Sequence, residues 1–146
     1  MYKHILVPVD LNEHGFCDKA VEHAVWHAKQ NNAKVHLLNV LPGIHMSMVA
    51  TYFPKEAAKQ MKEDVKQQLK KFAQQFSTDG VEFEVYVAEG KAYSTILDYA
   101  KKVHADLIIM PSHKRSRIDK VVLGSVASKV VENSPVNVLV IKPTGL

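Results

Sequence analysis

Four consecutive apolar residues, Leu107, Ile108, Ile109 and Met110, closed by Pro111, constrain the fold of this chain more than any other feature. A strand that is apolar on both faces has to be covered on both faces, and that occurs in parallel sheets flanked by helices. A polar loop follows, carrying Lys114, Arg115, Arg117 and Lys120. Beyond it, Gly124 and Ser125 stand directly before Val126, Ala127, Val130 and Val131, whose spacing lays one apolar stripe along a helix. A strand end, a cationic loop and a helix N-terminus therefore converge. Unpaired backbone N–H groups and the positive end of a helix dipole meet there, and anions such as phosphate settle in such places. Gly124 lets a ligand approach the backbone closely, and Ser125 adds a hydroxyl donor.

The same alternation runs through the chain. His4 to Val9 reads as a first strand, apolar without a break and so central, with Asp10 at its carboxyl end. A carboxylate at that end can accept from an adenine amino group or a ribose hydroxyl, or can cap the next turn. Ala20, Val21, Ala24, Val25 and Ala28 set one helical face over about Phe16 to Gln30, ended by Asn31-Asn32. His23 and His27 on its border have metal-ligand spacing. The H-A-V-W-H stretch lacks the internal Glu of a zinc protease and no third ligand lies nearby, so a solvated flank is expected. Val35 to Val40 makes a second strand. Pro42 to Pro54 has no helical or strand period, yet is apolar; a lid, a contact surface and packing over the sheet edge all fit it.

From Lys55 to Phe76 the residues Ala58, Met61, Val65, Leu69, Phe72 and Phe76 recur at three- and four-residue steps, predicting a long amphipathic helix. Val81 to Val87 alternates with Glu82, Glu84 and Tyr86, as at a sheet edge with one wetter face. Gly90 punctuates, and Ile96, Leu97, Ala100 and Val103 mark a third helix before Leu107. Asn133-Ser134-Pro135 stops the fourth helix, and Val136 to Ile141 forms the last strand. The expectation is one α/β domain over residues 1–146, a single five-stranded parallel sheet doubly wound with helices on both faces.

Composition removes several classes. Hydrophobic residues at 47% and charged residues at 23% exclude a disordered chain, and no apolar run approaches the ~18 residues a membrane span needs. The opening does not read as a signal peptide, since its apolar run contains Pro8 and ends in Asp10. With Cys17 alone there is no internal disulfide, which fits a reducing cytoplasm, and Cys17 is expected to be a bystander rather than a redox centre. The net charge of +4 raises nucleic acid as a partner. The lysines from Lys55 to Lys71 are interleaved with Glu56, Glu63 and Asp64 at helical spacing and read as a solvated helix face, so no nucleic acid and no membrane is expected. Neither G-x-x-x-x-G-K-S/T nor G-x-G-x-x-G occurs.

Met110-Pro111-Ser112-His113-Lys114, nine residues and then Gly124-Ser125 resemble the nucleotide-binding loop of the universal stress protein family, Gly-x-x-Gly, nine residues, Gly-Ser/Thr. Pro111 and Lys114 stand where the two leading glycines would be. The K-H-I-L-V-P-V-D opening, the H-L-L-N-V second strand and the closing L-G-S-V-A-S-K-V-V-E-N-S-P-V-N-V-L-V-I-K extend the likeness nearly end to end. The resemblance implies a Rossmann-like fold of the adenine nucleotide alpha hydrolase type with strand order 3-2-1-4-5. It implies a cytoplasmic, regulatory or stress-protective module that binds ATP, ADP or AMP, alone or with Mg2+. Pro8, Val9, Asp10 and Val40 would meet the adenosine. Met110, Pro111, Ser112, His113 and Lys114 would form the near wall, and Gly124, Ser125 and Val126 the phosphate end. It further implies a homodimer through Val136 to Ile141, whose apolar edge otherwise invites uncontrolled pairing. The glycine departures leave two other readings open: a member that works through protein partners without nucleotide, and a slow ATP hydrolase built on Asp10 and His113. No catalytic residue and no metal ligand is assigned.

Overall fold

The computed structural model describes residues 1–11, 15, 17–41, 55–77, 80–112 and 123–142. Nine elements alternate along these: β1 His4–Pro8, α1 Asp18–Asn31, β2 Lys34–Leu41, α2 Lys55–Phe76, β3 Glu82–Glu89, α3 Ala92–Lys102, β4 Leu107–Pro111, α4 Ser125–Asn133 and β5 Asn137–Ile141. The stretch from Pro42 to Pro54, His113 and Lys114 lie outside the described residues. All strand pairings are parallel and the order is β3-β2-β1-β4-β5, as expected.

That order explains the hydrophobic pattern. β1, β2 and β4 have neighbours on both sides, and successive residues point to opposite faces. Ile5, Val7, Val35, Leu37, Leu107 and Ile109 pack under α1 and α2 with Ala20, Val21, Ala24 and Leu69. Leu6, Leu38, Ile108 and Met110 pack under α3 and α4 with Ile96, Ala100, Ala127 and Val130. Two cores thus sandwich one sheet, and an uninterrupted apolar run is what a central strand must have. The edge strands differ. On β3, Glu82 and Glu84 are exposed while Phe83, Val85 and Val87 pack beneath α2. On β5, Val138, Leu139, Val140 and Ile141 are only half-buried.

Boundaries shift by one or two residues from the sequence reading, for local reasons. The first helix runs from Asp18, and Asn32 ends it in the left-handed conformation at φ 54°. The last strand begins at Asn137 because Ser134 Oγ and the Val136 backbone bond each other, at 2.8 and 3.1 Å, and hold the preceding turn. His23 is exposed and His27 half-buried, its ring edge-on to Tyr2 and Trp26. Among the described residues no group of three or more His, Cys, Asp or Glu is placed to hold a metal ion. No described helix is long and apolar enough to cross a membrane.

From the amino end of β1 a polar chain runs diagonally across β2 to the middle of β3. His4 Nδ1 lies 3.0 Å from His36 Nε2, His36 Nδ1 lies 2.9 Å from the Tyr86 hydroxyl, and that hydroxyl donates to Glu84 at 3.0 Å. Lys34 completes it, 2.7 Å from Glu84 and 3.5 Å from Glu82.

Candidate functional site

Strand order reverses between β1 and β4, and in open parallel sheets the crevice outside the carboxyl ends at that point is where ligands sit. A cavity of about 360 Å3 opens there. That is within the range of small-molecule sites. Three walls build it. Pro8, Val9 and Asp10 leave β1, Val40 and Leu41 end β2, and Met110 and Pro111 end β4. The fourth side is the start of α4, with Gly124, Ser125 and Val126 lining the cavity.

The α4 end carries the positive end of a helix dipole. Its N-cap residue, Gly124, supplies no side-chain bond, and the first N–H groups of the helix have no partner within it. Gly124 holds φ 84° and ψ 152°, a region essentially reserved for glycine. This conformation turns the chain into the helix and bares its N-terminus to the cavity. Ser125 is exposed beside it.

The β1 end is held by two side chains that the sequence reading had not assigned to the site. Asn39 is buried, and its Nδ2 donates to the Val9 carbonyl at 2.8 Å. Val9 N–H in turn donates to Leu38 at 2.8 Å, so β2 fastens the chain just as it leaves the sheet. Cys17 is buried, lines the cavity, and its sulfur accepts the Asp10 N–H at 3.2 Å. It is a structural neighbour of Asp10. Asn39 was the legible one, as the polar residue in an otherwise apolar strand end. Asp10 itself is exposed at the cavity rim.

A further wall comes from α3 through Ala92 and Ile96, also unassigned from sequence. Gly90 makes this approach feasible. Its N–H donates to Leu41 at 3.0 Å, its φ is +141°, and a Cβ there would lie 2.8 Å from Thr95 Oγ1.

Nine of the twelve residues expected at the site line this one cavity: the three from β1, Val40, Met110, Pro111, and Gly124 to Val126. Ser112 does not. It is buried, and both its N–H and its hydroxyl donate to the Ile141 carbonyl, at 2.9 and 3.4 Å. It ties the end of β4 to β5. His113 and Lys114 are outside the described residues.

The chain matches the model of the Universal stress protein family over residues 1–142. It is 32% identical over 145 residues to universal stress protein G of Salmonella typhimurium, covering 97% of this chain and 100% of that protein. The solved structure of hypothetical protein MJ0577 superposes with a TM-score of 0.82 at 26% identity, over 100% of this chain and 99% of that one. A universal stress protein from Archaeoglobus fulgidus, solved in complex with dAMP, superposes with a TM-score of 0.62 at 23% identity, over 97% and 98% of the two chains.

Proposed function

The chain belongs to the universal stress protein family, and from that premise we propose that it is a cytoplasmic adenine-nucleotide-binding module with a regulatory or stress-protective role. One observation carries the reading: a nucleoside-sized cavity lies at the strand-order switch with an uncapped helix N-terminus at one end and Val40 and Asp10 at the other. The α4 N–H groups and the Ser125 hydroxyl take the phosphates of ATP, ADP or AMP. The Val40 backbone edge and the Asp10 carboxylate take the adenosine, and Asp10 is also the group that would face a Mg2+ ion carried in with the nucleotide. A family member solved with dAMP supports an adenine nucleotide as the ligand class. The protein pairs with a second copy through β5, whose half-buried apolar residues occupy the sheet edge.

Mass spectrometry of small molecules released from freshly purified, denatured protein tests the reading directly. An adenine nucleotide at near-stoichiometric recovery is expected. Titration calorimetry with ATP, ADP and AMP then ranks them, and Gly124→Asp is expected to remove the heat. No recovered nucleotide and no heat with any of the three would retire the proposal. A turnover number in the usual range of ~1–100 per second would replace it with a phosphoryl-transfer enzyme.

A further inference from the structure

A second surface lies at the far edge of the sheet, away from the crevice. β3 is an edge strand, eight residues long, paired with β2 on one side and, among the described residues, with no strand on the other. Two grooves of about 480 and 400 Å3 run along that open edge and share Lys66 and Val85, so they form one trough. Its α2 wall carries Lys59, Lys62, Lys66 and Lys70, spaced three or four residues apart on one side of the helix. Its other wall carries Tyr86 and Tyr99, whose rings meet edge-on at 5.5 Å.

The charges in the trough do not balance. Glu84 is taken up by Lys34 at 2.7 Å, and Lys62 by Glu89 at 2.8 Å. Lys59, Lys66 and Lys70 have no ion pair among the described residues, against Glu63, whose carboxylate accepts from Gln67 at 2.9 Å. Like charges three and four residues apart on a helix repel one another. An anionic partner would relieve that repulsion, and the backbone beside the lysines offers a strand an unpaired edge.

We propose that the β3 edge docks an extended segment of a partner protein that alternates acidic and apolar residues, which adds to the sheet with its carboxylates over the α2 lysines and its apolar side chains against Tyr86 and Tyr99. Side chains of an added strand point alternately to the two faces, and same-face residues are about 6.7 Å apart. A four-residue step on a helix advances about 6 Å, so carboxylates at every second position keep pace with Lys66 and Lys70. A second copy of this chain fits poorly. Glu82 and Glu84 of its own β3 lie on the sheet face opposite α2, so β3 paired with β3 would set carboxylate against carboxylate.

The probe is a fluorescein-labelled peptide of about eight residues alternating aspartate and valine, tested by anisotropy against the full chain. A block peptide of the same composition, all aspartates first, is the control. Saturable binding of the alternating peptide is expected, at least tenfold tighter than the block peptide. The triple variant Lys59→Glu, Lys66→Glu, Lys70→Glu is expected to weaken it at least tenfold while leaving the circular dichroism spectrum and melting temperature in place. Amide exchange of β3 should slow in the complex, which adsorption by charge alone does not produce. Equal binding of both peptides, no saturable binding, or unchanged β3 exchange overturns the proposal. So does a single-stranded oligonucleotide that binds more tightly and is lost in the triple variant, which would make the lysines a nucleic-acid surface. A change of oligomeric mass in that variant would assign the edge to a second copy instead.

Discussion

His36 sits between two partners that fix which of its nitrogens carries a proton. Glu84 is held below the usual carboxylate range by its bonds to Lys34 and then to Tyr86, so it is ionised and can only accept. Burial, then Glu84, pushes the Tyr86 phenol up to about 12, so it keeps its proton and donates it to Glu84. His36 Nδ1 must then donate to the Tyr86 oxygen, and neutral His36 offers its bare Nε2 to a proton on His4 Nδ1. Burial is the main cause that lowers the His36 pKa to about 4, with His4 and Lys34 adding to it and Glu84 and Glu82 opposing. The folded value lies below the unfolded value of about 6.5, so the neutral ring is favoured by folding. Its contribution is complete above pH 6.5 and is lost as pH falls from there through about 4, up to about 3 kcal/mol. Urea midpoints at pH 7.5 and 4.5 check this: His36→Gln is expected to lose less stability between the two than the unaltered chain. An equal loss in both would remove His36 as the cause. At the other end of β2, Asn39→Ala leaves the buried Val9 carbonyl without its donor and should cost about 1–3 kcal/mol by the same measurement. Asn39→Asp should cost more, since it sets a buried carboxylate against that carbonyl.

At the scale of the element, β5 decides how the molecule ends. Its apolar side chains face both cores, yet they stay half-buried, and among the described residues no strand lies beyond them. Val138→Pro removes a backbone donor from that strand and is expected to convert the proposed dimer to monomer or aggregate, read by light scattering at micromolar concentration. A monomeric mass for the unaltered chain would end the dimer proposal. Elements of this kind were legible in the sequence because periodicity reports burial: β1 and β4 read as unbroken apolar runs, and β3 alternated as an edge does. The site was legible where backbone chemistry shows in composition, at Gly124 and at Asp10 after an apolar run. It was not legible where a side chain's direction decides. Ser112 follows Met110 and Pro111 in the motif, but the last turn of β4 aims it at Ile141. Cys17 precedes α1 by one residue, and only the fold carries it back against Asp10. Ala92 and Ile96 reach the cavity because Gly90 permits a tight turn, a packing fact with no sequence period.

Over the whole molecule, a polar chain and the candidate crevice share one sheet. The His4–His36–Tyr86 chain runs from the amino end of β1 to the middle of β3, and the crevice lies at the carboxyl ends of the strands, with His36 four residues, roughly 13 Å of strand, before Val40. Perturbations that far apart with no shared partner add in free energy. Saturating ATP at about one hundred times its dissociation constant is expected to stabilise the fold by ~2.7 kcal/mol. For a chain of this size that is a rise in melting temperature on the order of 5–15 °C. At pH 7.5 the same rise is expected in His36→Gln, although its own melting temperature differs. Asn39→Ala should show a smaller rise, because the β1 end proposed to meet the adenosine is no longer fastened to β2. Gly124→Asp should show none, because a carboxylate occupies the place of the phosphate and its backbone is strained out of the glycine conformation. Differential scanning fluorimetry on the four proteins separates these outcomes. An ATP-induced rise that falls in His36→Gln as much as in Asn39→Ala would mean that the crevice does not act as a site independent of the histidine chain.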